Sequence, residues 1–251
     1  MTDRADFVLS AAEFDLVHDA LGLGRVPFPL DVPSQGATMR ERSELAAEAY
    51  KSLAGRGLAE RDVLDSKVEG LLRLLTDNDT SVDAFGHLDE PVRALAAADR
   101  HTGVLARIVG DQLWLTEIRP TALALSIVAV LPANDPGPLR GLSLPYEQLA
   151  RAIEEDDDDP FGGDLDDEVA LTRAGVPAQD AAMLTELAGT RRGGGQFGVS
   201  RGAARASTLV TWFDTHQGRY LMTSQETWLS ITPADNRRIE SRLADVLSAV
   251  A

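Results

Sequence analysis

The chain has no cysteine among its 251 residues, which excludes disulfides, thiolate zinc sites and cysteine nucleophiles. Aromatics are scarce at 5%, so each large ring carries information about where a core or an interface lies. Histidine occurs only as His18, His87, His101 and His216, at no spacing that places two on one metal, and no metal or cofactor is expected. Basic residues are outnumbered: 24 Lys plus Arg against 40 Asp plus Glu leave a net charge of −16. A surface of that sign repels nucleic-acid phosphates and anionic membranes alike. The longest apolar stretch, residues 122–131, is far short of the ~20 residues that cross a bilayer. The opening MTDRADFVLSAAEFDLV has neither the basic segment nor the sustained apolar run of a signal peptide. A cytoplasmic protein without membrane insertion is expected.

What is present is a globular composition, 44% hydrophobic and 25% charged, in a chain long enough to bury a core. The charge is uneven. Ten acids and no Lys or Arg fall within residues 154–168, and with Pro160, Gly162 and Gly163 this stretch reads as a solvated acidic loop or linker. It separates an N-terminal half, 1–153, from a C-terminal half, 169–251, the two expected to form one compact unit.

The first half opens with a short strand at 6–9. Ser10 then caps a helix, with Glu13 at the capping-box position and Phe14, Val17 and Leu21 on one stripe. Helices at 39–53 and 62–75 follow. The period then changes to two, predicting strands at 82–88, 92–98, 104–109, 113–118 and 122–131 with a Gly110-Asp111 hairpin. Links this short imply antiparallel pairing. A helix at 145–155 closes the half. The second half repeats the order: helices at 165–174 and 178–188, then strands at 197–201, 207–214, 220–225 and 228–231. A last helix is capped by Thr232 with Pro233 at its first position, and carries a stripe of Ile239, Leu243, Val246, Leu247 and Val250. Helices, meander and helix, twice over, predict an α+β fold of two pseudo-equivalent halves.

The chemical motifs are few. Gly198-Val199-Ser200-Arg201-Gly202 matches the nucleophile elbow of serine hydrolases, with Asp214 and His216 following in the acid-then-base order. An elbow needs a strand before it and a helix after it, whereas here glycines precede and a strand follows. Gly193, Gly195 and Gly198 spell a dinucleotide fingerprint in the reverse of the required strand-to-helix context. Residues 157–168 fit an EF-hand loop at Asp157, Asp159, Gly162 and Glu168, but Phe161 stands where an oxygen ligand belongs. A small hydrolase using Ser200 and His216, and a calcium-responsive module at 157–168, are the alternatives to a binding protein.

Large side chains gather in the C-terminal meander as Trp212, Phe213, Met222, Trp228 and Leu229. Successive strand residues point to opposite faces, so both faces are apolar in part. One packs under the last helix, and the other is covered by the remaining helices or by a partner. Trp212 and Trp228 are expected to project away from that helix.

Three stretches resemble the EspG family of actinobacterial type VII (ESX) secretion-associated proteins. They are LSAAEFDLVHDALGLGRVPFPLDVPSQGATMRERSELAAEAYKSLAGRGL, RPTALALSIVAVLP and GRYLMTSQETWLSITPADNRRIESRLADVL. The resemblance implies two halves related by quasi-two-fold symmetry and a cytosolic, non-enzymatic chaperone. Its client is a PPE-like protein paired with a PE-like partner, bound at a helical tip and kept soluble for secretion. The implied contact surface is a central sheet face plus a C-terminal helical bundle, near residues 212–229 and 178–187. Trp212, Met222, Trp228, Leu229, Met183 and Leu184 are accordingly the expected partner-binding residues, on a monomer or weak homodimer.

Overall fold

The structure, a computed structural model, describes residues 5–157, 167–225 and 227–250. Strand β1 (Phe7–Ser10) runs into α1 (Ala11–Ala20). The capping box forms as expected: the Glu13 N–H donates to Ser10 Oγ (3.1 Å) and the Ser10 N–H to Glu13 Oε2 (2.8 Å). Helix α2 (Met39–Gly55), a β2–β3 hairpin (Ala59–Glu60, Val63–Leu64) and α3 (Ser66–Thr76) follow. The meander is β4 (Thr80–His87), β5 (Pro91–Ala98), β6 (Gly103–Val109) and β7 (Gln112–Ile118), and α4 (Leu123–Val128) closes it.

The second repeat opens with β8 (Leu142–Pro145) and three helices, α5 (Tyr146–Asp157), α6 (Asp167–Arg173) and α7 (Ala178–Thr190). Strand β9 (Arg191–Arg201), its short extension β10 (Ala204–Arg205), β11 (Val210–Thr215), β12 (Gly218–Gln225) and β13 (Trp228–Pro233) precede α8 (Asn236–Ala249).

All the strands except β2 and β3 join one antiparallel sheet, ordered β1-β7-β6-β5-β4-β9-β11-β12-β13-β8, with β10 on β9. From either edge inward the pattern is the same: opening strand, then the meander in reverse. The β4–β9 pair, eight residues in register, therefore lies on a topological two-fold axis. This is the α+β repeat that the element order predicts.

Four local expectations are corrected. Residues 122–131 are not a strand but the α4 helix and its flanks. An apolar run of that length fits a buried helix as well as a strand, and here Leu123, Ala124, Ile127 and Val128 bury while Leu125 points out. Strand β9 begins at Arg191 rather than 197, because its glycines sit in the ladder and not in a turn. Helix α8 starts at Asn236 under an Asp235 cap, which accepts from the Arg238 N–H at 2.8 Å, while Pro233 ends β13. The acidic stretch is partly helical: residues 154–157 belong to α5 and 167–168 to α6. Its middle, residues 158–166, and with it most of the EF-hand candidate, lies outside the described residues.

One sheet face is covered by α4 and α8, which bury Val82, Ala84, Phe197, Trp212 and Leu221. The other face carries two separate cores. Helices α1–α3 pack on β5, β6 and β7 around Phe14, Leu72, Leu95 and Leu113. Helices α5–α7 pack on β8, β11, β12 and β13 around Phe213, Tyr220, Ile231 and Leu187. Between them on this face, β4 and β9 are left without a helix.

Candidate functional site

The uncovered centre can be built strand by strand. The pairing register aligns Leu142, Ile231, Met222, Thr211, Gln196, Phe85 and Arg93 in one row across seven strands. Alternation puts the whole row on the face opposite α8. Its ends are claimed by the helical layers; Gln196, Thr211 and Phe85 face the gap. Phe85 is 44% exposed and meets Phe28, itself 51% exposed, at a ring separation of 5.4 Å. Arg93 fixes the wall behind them by donating to the Pro29 carbonyl at 2.9 Å.

This strip forms a shallow concavity of about 570 Å³, bordered by Phe85, His87, Pro91, Gln196, Thr211 and Arg191. Through Thr211 and Arg191 it joins a second cavity of about 550 Å³ between α5–α7 and the sheet. Leu149, Leu171, Leu184, Phe213, Met222 and Ile231 line that cavity. No Asp or Glu lines either space among the described residues, in a protein of −16 net charge. At the far end of the strip Asp83 is clamped by Arg205 at 2.7 and 3.2 Å, and the carboxylate raises the guanidinium's pKa.

The expected partner-binding residues divide by depth. Met222 and Leu184 are half-buried and meet in the cavity wall. Met183 and Leu229 are buried behind the surface. Trp212 is fully buried on the α8 face, over Phe197 at 4.7 Å, with the indole so close to Gly195 that a β-carbon there would collide with it. Trp228 is 52% exposed, but its register with Gln225, two residues on from Thr223, places it on the same face as Trp212. The expectation that both tryptophans project away from the last helix is therefore corrected: alternation along β11 and β13 turns both toward the α8 side. Sequence reading passed over Phe28 and Phe85. The signal was there, since Phe85 alternates with Val82 and Ala84 and shares its side of β4 with Asp83 and His87, a ring on a polar row.

The hydrolase geometry fails. Ser200 pairs with Ser81 near one end of β9, while Thr215, beside His216, pairs with Arg191 at the other. Nine residues of strand put them ~30 Å apart. Ser200 lies within a strand and not at an elbow, and Asp214 is held by Arg219 at 2.6 and 2.8 Å. His18, the one buried histidine, packs edge-on to Phe14 with Nε2 unpartnered among the described residues. No cluster of three potential metal ligands occurs among the described residues.

No curated protein matches this sequence. Among solved structures the fold is similar to that of the Mycobacterium tuberculosis type VII secretion system chaperone EspG5, determined in complex with a PE25–PPE41 dimer. The TM-score is 0.74 at 17% identity, covering 98% of this chain and 96% of that one. The model of the EspG family matches residues 10–245, nearly the whole length. The chain belongs to the EspG family.

Proposed function

We propose that this protein is a cytosolic, non-enzymatic chaperone of a type VII secretion system that binds the helical tip of a PPE-type client paired with a PE-type partner. The observation that carries the reading is the helix-free strip around Phe85. It sets exposed aromatic rings over a concavity with no Asp or Glu in its lining among the described residues, between two helical walls on one sheet face. An apolar helix tip left in water would self-associate, and a preformed concave face masks it. Family membership and the client of the related EspG5 point the same way. The absence of a Ser200–His216 pairing removes the best catalytic alternative. Met222 and Leu184, with Phe85 and Phe28, form the client face, and Met183 and Leu229 support it from behind. The chaperone itself is a monomer or a weak homodimer.

The test is affinity for a purified PE–PPE heterodimer, measured alongside melting temperature. Phe85→Ala is expected to weaken binding by ~2 kcal/mol, as for a central aromatic anchor, with melting unchanged. Trp212→Ala is expected to lower stability. Unchanged affinity in both Phe85→Ala and Met222→Ala would displace the client face from this strip.

A further inference from the structure

We propose that the cavity beneath α5–α7 is a binding site for a single-chain aliphatic carboxylate, a medium-chain fatty acid in chemical class. The inference rests on the cavity, which shares Met222 and Leu184 with the client face but not Phe85. At about 550 Å³ the space falls within the range of small-molecule sites. Leucines, Phe213, Met222 and Ile231 give it walls suited to an alkyl chain rather than a sugar or a nucleotide.

Three polar side chains interrupt those walls, Thr185, Arg191 and Thr211. Thr185 Oγ1 is buried with no hydrogen-bond partner among the described residues, and its side chain lines the cavity. A buried hydroxyl in that state is costly unless something supplies a partner. Arg191 stands exposed at the mouth and makes no ion pair among the described residues. Thr185 lies in the second half of α7, and Arg191 is the first residue of β9, directly after that helix. Thr211 borders the cavity from β11, and the other lining residues are apolar. Among the described residues no acid lines the cavity, and Arg191 is its one charged lining residue. A carboxylate head matches Arg191, and an alkyl chain matches the walls. A cationic head would meet Arg191 with like charge.

Calorimetric titration of the full chain with decanoate, below its micelle concentration, tests the assignment, with decyltrimethylammonium as the opposite-charge control. Decanoate is expected to bind saturably and raise the melting temperature. Arg191→Gln should weaken it by about ten-fold, the loss of one charge-assisted contact. Ala188→Phe, at an exposed position on the rim, should abolish binding while leaving the melting temperature of the unliganded protein unchanged. Equal binding of decanoate by wild type and both variants would overturn the proposal, as would equal binding of the ammonium control or no binding at all. Co-flotation with phosphatidylglycerol vesicles would also overturn it, by assigning the site to a lipid surface. Phe85→Ala should leave decanoate affinity unchanged, so that failure here and failure of the client face are told apart.

Discussion

The two repeats share a topology but not a density. In the N-terminal repeat, helices α1–α3 and the connector residue Leu30 close over the sheet, with Phe14, Leu53, Leu72 and Leu75 all fully or nearly fully buried. Arginines tie the layer together. Arg42 donates to Asp15 (2.7 Å), Asp19 (2.8 Å) and the Gln35 carbonyl (2.7 Å), and Arg56 to Glu13 at 2.6 Å. The corresponding helices of the C-terminal repeat bring alanines inward, Ala152, Ala174 and Ala181 in the core and Ala170 on the cavity wall. Short side chains on an unchanged scaffold leave volume, and that volume is the cavity. The contrast teaches that one topology can be spent on stability in one copy and on binding in the other.

The largest effect that could break this comparison is a matched pair of truncations. Leu72→Ala, in the closed layer, should cost ~3–5 kcal/mol, whereas Leu187→Ala, already bordering the cavity, should cost ~2 kcal/mol or less. Equal losses in denaturant titrations would show that the two layers are packed alike. A smaller effect of opposite sign separates them again. Ala97→Leu, fully buried beneath α1–α3, should overpack and cost ~1–3 kcal/mol. Ala170→Leu, on the cavity wall, should be neutral or stabilising by ~1 kcal/mol. The smallest concerns pH. Burial pushes the His18 imidazole below its ordinary 6.5, against the opposing pull of Asp15 and Asp19. Its folded pKa is depressed, so the unfolded chain binds the extra proton first, and stability falls as pH drops below 6.5 toward the folded value. Urea midpoints between pH 7.5 and 5.5 should show that decline in wild type and lose that component in His18→Leu.

The repeat was legible because its signals are local. Ser10 with Glu13, the period-two runs of β4–β7 and the stripe on α8 each declare an element without reference to the rest of the chain. Misreadings fell where tertiary context decides. Residues 122–131 are apolar enough for either state, and only the α8 neighbour makes a helix of them. The glycines of β9 look like a turn until Trp212 is placed over Gly195. Strand β8 is four residues long, and the expected helix at 145–155 takes in only its last residue, Pro145, with the first three assigned to no element. The proposed client face is half legible in the sequence: Met222 and Leu184 come from the large-residue count and the family resemblance, Phe85 only from its side of the strand. The tryptophans misled because size alone does not fix which face a residue takes. The cavity could not be read at all, since it is a difference in volume between two layers far apart in sequence.

The β4–β9 seam has the symmetry of an isologous contact: each strand runs antiparallel to its counterpart, with the axis between them. In two separate chains such a contact would dissociate on dilution. Here both sides are covalently joined, so the central strip is assembled at any protein concentration. A symmetric pair of chains would also present two equal cavities flanking the axis. Because only the C-terminal repeat keeps that volume among the described residues, the fused molecule carries the cavity on one side of the axis and not on the other.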